Sequence, residues 1–160
     1  MAAKSIGMVD AIMCSTLERA TVTGEIISSA LGIGPLLELP GLIERNAGEW
    51  EGMTRSEIER DFPGYLADGR RPPNWESDER LSERVLGTLD AITARLPEAD
   101  VICISHGGVI MCIEERFGAG RHRIANLGGR WLTSTDVYGY DLGDRIDLLE
   151  GHDVTVPDQI

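Results

Sequence analysis

The chain has 160 residues, of which 42% are hydrophobic and 26% are charged, which is enough for one domain with a single core. Acidic residues number 27 against 15 Lys and Arg, and the net charge of −12 argues against nucleic acids and anionic membranes as partners. No apolar run reaches the ~20 residues of a membrane-spanning helix, and the first residues lack the apolar core of a secretory signal. We therefore expect a soluble, cytoplasmic protein.

The three cysteines argue against a disulfide framework or a zinc site. Cys14, Cys103 and Cys112 are odd in number, lie in apolar surroundings and form no C-x-x-C pair. They are predicted to be buried, reduced thiols. The sequence predicts no metal and no cofactor.

The first part of the chain predicts a strand, a helix, a second strand and a loop. Residues 9–14 read as a short buried strand, and Ser15-Thr16-Leu17-Glu18 has the pattern of a capping box that starts a helix. Gly32 stands where a left-handed helix end is expected. Residues 36–39 predict a second strand, and residues 40–53, with three glycines, predict a loop.

The remainder predicts a similar alternation of helices and strands. Thr54-Arg55-Ser56-Glu57 is a second capping box, which starts a short helix that ends at residues 62–64. Apolar residues at helical spacing predict a long helix over 81–96. After it the sequence predicts a strand over 101–104, a helix over 109–117, and strands over 131–140 and 145–149. Residues 151–160 form a polar tail.

Strands alternating with helices predict a three-layer α/β domain with a mostly parallel sheet over residues 1–150. In such sheets ligands bind beyond the carboxyl ends of the strands. Ser15, Arg19, Ser105 and His106 follow two of these strands, so we expect them to converge. The N–H groups of two helix N-termini, including that of Gly107, would add to a site for an anion.

The first strand-to-helix switch and the next loop resemble two segments of the histidine phosphatase superfamily, which includes the phosphoglycerate mutases. Residues 14–23 resemble the family's S-x-L-x-R-A-x-x-T segment, and this implies that Arg19 holds a phosphoryl group. Residues 44–52 are similar to the family's E-x-x-x-G-x-W-E-G loop. The resemblance implies that Glu44 is the proton donor and that Arg45 is a phosphate-binding arginine, as in the mutase branch.

The second switch extends the resemblance. An apolar strand followed by Ser105-His106-Gly107-Gly108 resembles the family's strand and S-H-G-G segment, which implies that His106 binds the transferring phosphoryl group. Residues 61–75 stand where family members carry a substrate-covering insert, and both a lid and a solvated crossing remain open. Trp75 would narrow the entrance, stack on a substrate ring or simply pack. Arg84 matches an arginine that is common in the family, and the alternative is an ion pair with Glu83 or Asp90.

One family segment is absent from this sequence. The family begins with a strand that ends in R-H-G, whose histidine is the nucleophile. The resemblance therefore implies a phosphoglycerate mutase-like fold that is shortened at its N-terminus: either the sequence starts downstream of the ancestral start, or the protein functions without this strand. We expect the missing strand to lie between the two strands that carry the switches. Either these strands close the gap or another subunit fills it, which favours a homo-oligomer.

These observations predict a protein that binds a small anionic, phosphorylated metabolite. It would hydrolyse a phosphomonoester, or transfer a phosphoryl group as mutases do, with Arg19, Glu44 and His106. Two alternatives dispense with the missing nucleophile. One is a non-catalytic binding protein, and the other is an enzyme repurposed for acid/base isomerisation, elimination or cyclisation in a biosynthetic pathway, with Glu44 and His106 as the acid/base pair.

Overall fold

A parallel sheet of three strands occupies the centre of the molecule. The structure is a computed structural model and describes residues 7–135 and 139–148. The strands lie in the order β2, β1, β3, with bounds β1 Ala11–Cys14, β2 Leu37–Glu38 and β3 Val101–Ile104. A separate antiparallel pair consists of β4 Gly128–Thr135 and β5 Gly139–Asp147. The sheet is mostly parallel, as predicted.

Helices cover both faces of the parallel sheet. The α-helices are α1 Glu18–Leu31, α2 Arg55–Asp61, α3 Asp78–Arg95 and α4 Gly107–Arg116, with short 3-10 helices at Pro40–Leu42 and Gly48–Trp50. Successive residues of a strand point to opposite faces. Met13 packs with Ile92 of α3, whereas Cys14 faces Gly24 of α1. The predicted three-layer α/β architecture is confirmed.

The two strands that carry the switches are direct neighbours. Ala11 pairs with Val101, and the parallel register continues without interruption to Cys14 and Ile104. Of the two alternatives for the place of the missing strand, the structure shows the first: the two strands close the gap themselves, because their backbone groups hydrogen-bond to each other along four residue pairs. The oligomeric state stays a prediction.

The helix ends follow the local sequence signals with one exception. Thr54 and Glu57 form the predicted capping box at the start of α2, and Gly32 ends α1 with a φ of +68°. The predicted capping box at Ser15 is wrong, because α1 begins at Glu18 with Leu17 as its N-cap. The Ser15 hydroxyl instead accepts a hydrogen bond from the Leu17 N–H, and it also bonds to Nε2 of His106 at the second strand-to-helix switch.

The β4–β5 pair packs on α4 through a buried acidic side chain. Glu114 is 1% exposed and forms ion pairs with Arg145 and, at 3.7 Å, with Arg130. The predicted strands at 131–140 and 145–149 have shifted bounds, and residues 136–138, 149 and the predicted tail at 151–160 lie outside the described residues. Among the helices that the structure describes, none is both long and apolar enough to cross a bilayer.

Candidate active site

The tips of β1 and β3 bring three polar side chains together. The backbone N–H of Ser15 donates to the carbonyl of Ile104 at 2.8 Å, which fixes the two tips side by side. Nε2 of His106 lies 2.8 Å from Oγ of Ser15, and Nε of Arg19 donates to Nδ1 of His106 at 3.2 Å. The structure thus places these three residues in one hydrogen-bonded cluster at the carboxyl edge of the sheet.

His106 is held in one neutral tautomer. A guanidinium only donates hydrogen bonds, so Nδ1 accepts from Arg19, and Nε2 carries the proton and donates to Ser15. The side chain is 7% exposed. Burial, helped by the positive charges of Arg19 and Arg84, lowers the pKa of His106 to about 4. The ring is therefore uncharged at neutral pH.

Two other residues of the second switch have different positions. Oγ of Ser105 donates to the carbonyl of Leu42 at 2.7 Å, so this hydroxyl fastens the 40–53 loop to the sheet. The hydroxyl that bonds to His106 belongs to Ser15 and not to Ser105. Gly107 opens α4, and the N–H groups of a first helical turn lack acceptors within the helix. His106 is the N-cap of α4, so the helix begins directly after the histidine.

Glu44 lies against this helix N-terminus. Its carboxylate accepts hydrogen bonds from the N–H of Gly108 at 3.1 Å and from the N–H of Arg45 at 2.8 Å. A Cβ at position 108 would stand 2.5 Å from Oε1 of Glu44. The space at Gly108 is therefore what allows the carboxylate to approach the α4 backbone.

Arg45 points towards the start of α3. Its guanidinium is buried, donates to the carbonyl of Glu76 at 2.5 Å and forms an ion pair with Asp78. It also lies 5.5 Å from the centroid of the Trp75 ring. The structure does not include Arg45 in the cluster around His106, and its role in binding phosphate stays a prediction.

Arg84 organises the loop that carries Glu44, and sequence reasoning missed this role. It donates to the carbonyls of Gly41 at 2.9 Å and Ile43 at 3.0 Å, and it forms an ion pair with Glu76. The predicted pairing with Glu83 or Asp90 is wrong, because the side chain faces this loop. Glu76 lies eight positions earlier, so helical spacing gives no signal of the pair.

Sequence comparisons relate the chain to known phosphatases. The profile of the histidine phosphatase superfamily (branch 1) matches residues 3–141. The chain is 32% identical over 111 residues to the uncharacterized phosphatase PhoE of Bacillus subtilis, covering 69% of this chain and 54% of that protein. It is 30% identical over 110 residues to a metal-independent phosphoserine phosphatase of Arabidopsis thaliana, covering 64% of this chain and 46% of the relative. The chain thus spans about half the length of these two relatives.

Solved structures show the same fold. A mycobacterial glucosyl-3-phosphoglycerate phosphatase in complex with VO3 superposes with a TM-score of 0.74 at 21% identity, covering 88% of this chain and 79% of that chain. Bacillus stearothermophilus YhfR superposes with a TM-score of 0.71 at 22% identity, covering 84% and 72%. The family-model match over residues 3–141, which is most of the chain, shows that the chain belongs to the histidine phosphatase superfamily.

Proposed function

We propose that the protein binds the phosphoryl group of a small phosphorylated metabolite between Arg19 and the N-terminus of α4, and that it hydrolyses the phosphomonoester. One observation carries this proposal. The guanidinium of Arg19 bonds to neutral His106 and has no carboxylate partner among residues 7–135 and 139–148. In a chain with a net charge of −12, an unpaired guanidinium beside a helix N-terminus is suited to an anion.

The cluster suits a phosphoryl dianion in its hydrogen bonding. The two terminal nitrogens of Arg19 have donors to spare, and the N–H groups in the first turn of α4 would supply more. The family relatives include phosphatases, whose names support the choice of a phosphomonoester over other anions. His106 would contribute by holding Arg19 and Ser15 in place.

Glu44 is the proposed acid. As the bond between phosphorus and the ester oxygen breaks, the Glu44 carboxyl would give its proton to that oxygen, and the alcohol would leave neutral. Water would attack phosphorus and return one proton to Glu44. This scheme uses water because the lone pair of His106 Nδ1 is occupied by Arg19, and it consumes one phosphomonoester and one water per alcohol and phosphate released.

A second candidate function is phosphoryl binding without turnover. The observation that favours it is the same occupation of both His106 nitrogens, which leaves the described cluster without an imidazole ready to attack phosphorus. The two functions share the anion site and differ only in chemistry.

Phosphate release and phosphate binding separate these proposals. Inorganic phosphate released from a panel of phosphomonoesters measures turnover, and calorimetry with inorganic phosphate measures binding. Arg19→Met should abolish both, whereas Glu44→Gln should lower release about 100-fold or more and retain binding. Arg80→Met, at an exposed arginine on α3, is the matched control and should change neither. Binding without release by the unaltered protein would select the second candidate, and absence of both would refute the site.

A further inference from the structure

Glu76 lies just before α3 and contacts the loop that carries Glu44. Oε2 of its carboxylate accepts a hydrogen bond from the N–H of Asn46 at 3.2 Å, and its own backbone N–H donates to the carbonyl of Asn46 at 3.0 Å. The carbonyl of Glu76 accepts from the guanidinium of Arg45 at 2.5 Å. Glu76 therefore holds both of the residues that follow Glu44 in the chain.

Arg84 adds a contact on the other side of Glu44. Its guanidinium donates to the carbonyl of Ile43, the preceding residue, at 3.0 Å. Nε and Nη2 of the same side chain donate to Oε1 and Oε2 of Glu76 at 3.0 Å and 2.8 Å. The hydrogen bonds therefore form a closed ring through Glu76, Arg84 and the chain segment 43–46.

The backbone of Glu44 depends on this ring for its position. Within residues 7–135 and 139–148, neither the N–H nor the carbonyl of Glu44 forms a hydrogen bond with another residue. The carboxylate of Glu44 accepts from the N–H of Gly108 at 3.1 Å. A shift of the Glu44 backbone would therefore move its carboxylate away from the start of α4.

The Glu76 carboxylate is ionised and mostly enclosed. Its side chain is 16% exposed, and that of Arg84 is 25% exposed. Burial acts to raise the pKa of Glu76, but hydrogen bonds from Arg84 and from the backbone of Asn46 hold it below its ordinary value. The carboxylate therefore keeps its charge at neutral pH and binds the arginine and the loop at the same time.

We propose that Glu76 is a positioning residue for the proton donor, because it fixes the chain on both sides of Glu44 and so holds the Glu44 carboxyl at the start of α4. This inference rests on the proposed function, since it takes Glu44 as the acid. Glu76 acts through Asn46 and Arg84 and takes no part in the proton transfer. A displacement of about 1 Å at a catalytic group can slow a reaction about 100-fold, so this positioning matters for the rate.

Two esters with different leaving groups separate positioning from stability. Glycerol 3-phosphate needs a proton on its leaving oxygen, whereas 2,4-dinitrophenyl phosphate releases a stable anion that needs none. Glu76→Ala should lower kcat for glycerol 3-phosphate about 10- to 100-fold and kcat for the dinitrophenyl ester by less than about threefold. A mere loss of folded protein would lower both rates equally and leave their ratio unchanged.

Three further variants calibrate this ratio. Glu44→Gln removes the acid itself and sets the largest decrease. Glu114→Gln is the matched control, because Glu114 is also a buried carboxylate bound by a forked arginine, and its partners are Arg145 and Arg130 of the β4–β5 pair. It should cost stability and leave the ratio unchanged. If Glu76→Ala does not fold, Glu76→Gln carries the same test, because it keeps the size of the side chain and removes the charge.

The outcomes distinguish this inference from the proposed function. A ratio that falls in Glu44→Gln but not in the Glu76 variant would overturn the inference alone, as would an equal fall in Glu114→Gln. An unchanged ratio in Glu44→Gln would refute the acid and the inference together. Hydrolysis of neither ester by the unaltered protein would do the same, while binding of inorganic phosphate would still support the anion site.

Discussion

Nε of Arg19 donates a hydrogen bond of 3.2 Å to Nδ1 of His106, across 87 positions of the chain. The contact exists because β1 and β3 are adjacent and parallel, so that the residues after each strand meet at one edge. It fixes the histidine tautomer and aims the remaining donors of Arg19 at the same edge. The charge of the proposed anion site therefore resides on Arg19, and His106 orients this arginine.

The protonation of His106 should oppose folding in mild acid. Its folded-state pKa of about 4 lies below the ordinary value of 6.5, so only the unfolded chain takes up a proton between these pH values. The free energy of unfolding should therefore fall as the pH drops from 6.5 to 4, by up to about 3 kcal/mol from this group. Urea unfolding at several pH values measures the loss.

A variant separates this contribution from that of the acidic residues. His106→Gln should be less stable at pH 7 but should lose less stability on acidification than the unaltered protein. His122→Gln, at an exposed histidine, is the control for replacing a histidine outside the cluster. Parallel curves for the unaltered protein and His106→Gln would contradict the assignment, as would an NMR titration of His106 with a midpoint near 6.5.

Neighbouring glycines at the start of α4 should respond differently to substitution. A Cβ at Gly108 would lie 2.5 Å from Oε1 of Glu44, whereas a Cβ at Gly107 would meet only Ile124, at 3.6 Å. Gly108→Ala should displace the carboxylate and lower phosphate release at least about tenfold, since misplaced catalytic groups are costly. Gly107→Ala should leave release near the original rate, and equal effects of the two variants would show that the Glu44 contact has no role in turnover.

The predictable parts of this molecule are those encoded over short stretches of chain. Apolar runs predicted β1 and β3, and the rule for parallel sheets predicted that Ser15, Arg19 and His106 would meet. The capping box at Thr54 could be predicted because its two hydrogen bonds join residues that are three positions apart in the sequence. The same pattern failed at Ser15, whose hydroxyl bonds to a histidine 91 positions away.

Contacts between distant segments explain the remaining predictions, which were wrong or left alternatives open. Arg45 pairs with Asp78, 33 positions later, only because the 40–53 loop packs against the start of α3. Glu76 and Arg84 are neither neighbours in sequence nor one helical turn apart, so no spacing rule predicts their pairing. The direct pairing of β1 with β3 is likewise a property of the whole sheet, and neither strand's sequence specifies its neighbour.

Arg84 should control both stability and the position of Glu44. Arg84→Met removes the partner of the partly buried Glu76 and frees the carbonyls of Gly41 and Ile43, so it should cost about 2–4 kcal/mol of unfolding free energy. It also removes a positive charge that lowers the pKa of His106, which should therefore rise. Chemical denaturation and an NMR titration measure the two effects.

The conservative variant tests whether the geometry or only the charge of Arg84 matters. Arg84→Lys keeps the charge, so the pKa of His106 should stay low, but one ammonium cannot reproduce the forked contacts to Glu76 and the two carbonyls. Most of the stability loss should therefore remain. Full recovery of stability by lysine would show that the fork is dispensable, and an unchanged His106 pKa in Arg84→Met would remove the electrostatic link.

Two glycines inside helices should give contrasting stabilities when replaced by alanine. Gly87 lies within α3 with open space where a Cβ would stand, so Gly87→Ala should raise the unfolding free energy by about 0.5–1 kcal/mol through helix propensity alone. Gly24 lies within α1, and a Cβ there would meet Leu36 at 2.9 Å and Cys14 at 3.4 Å. Gly24→Ala should forfeit that gain, because either the Leu36 side chain or α1 must shift to make room for the methyl group. Urea denaturation of both variants decides the point: equal stabilisation would mean that the Leu36 side chain makes room for the new methyl group at no cost.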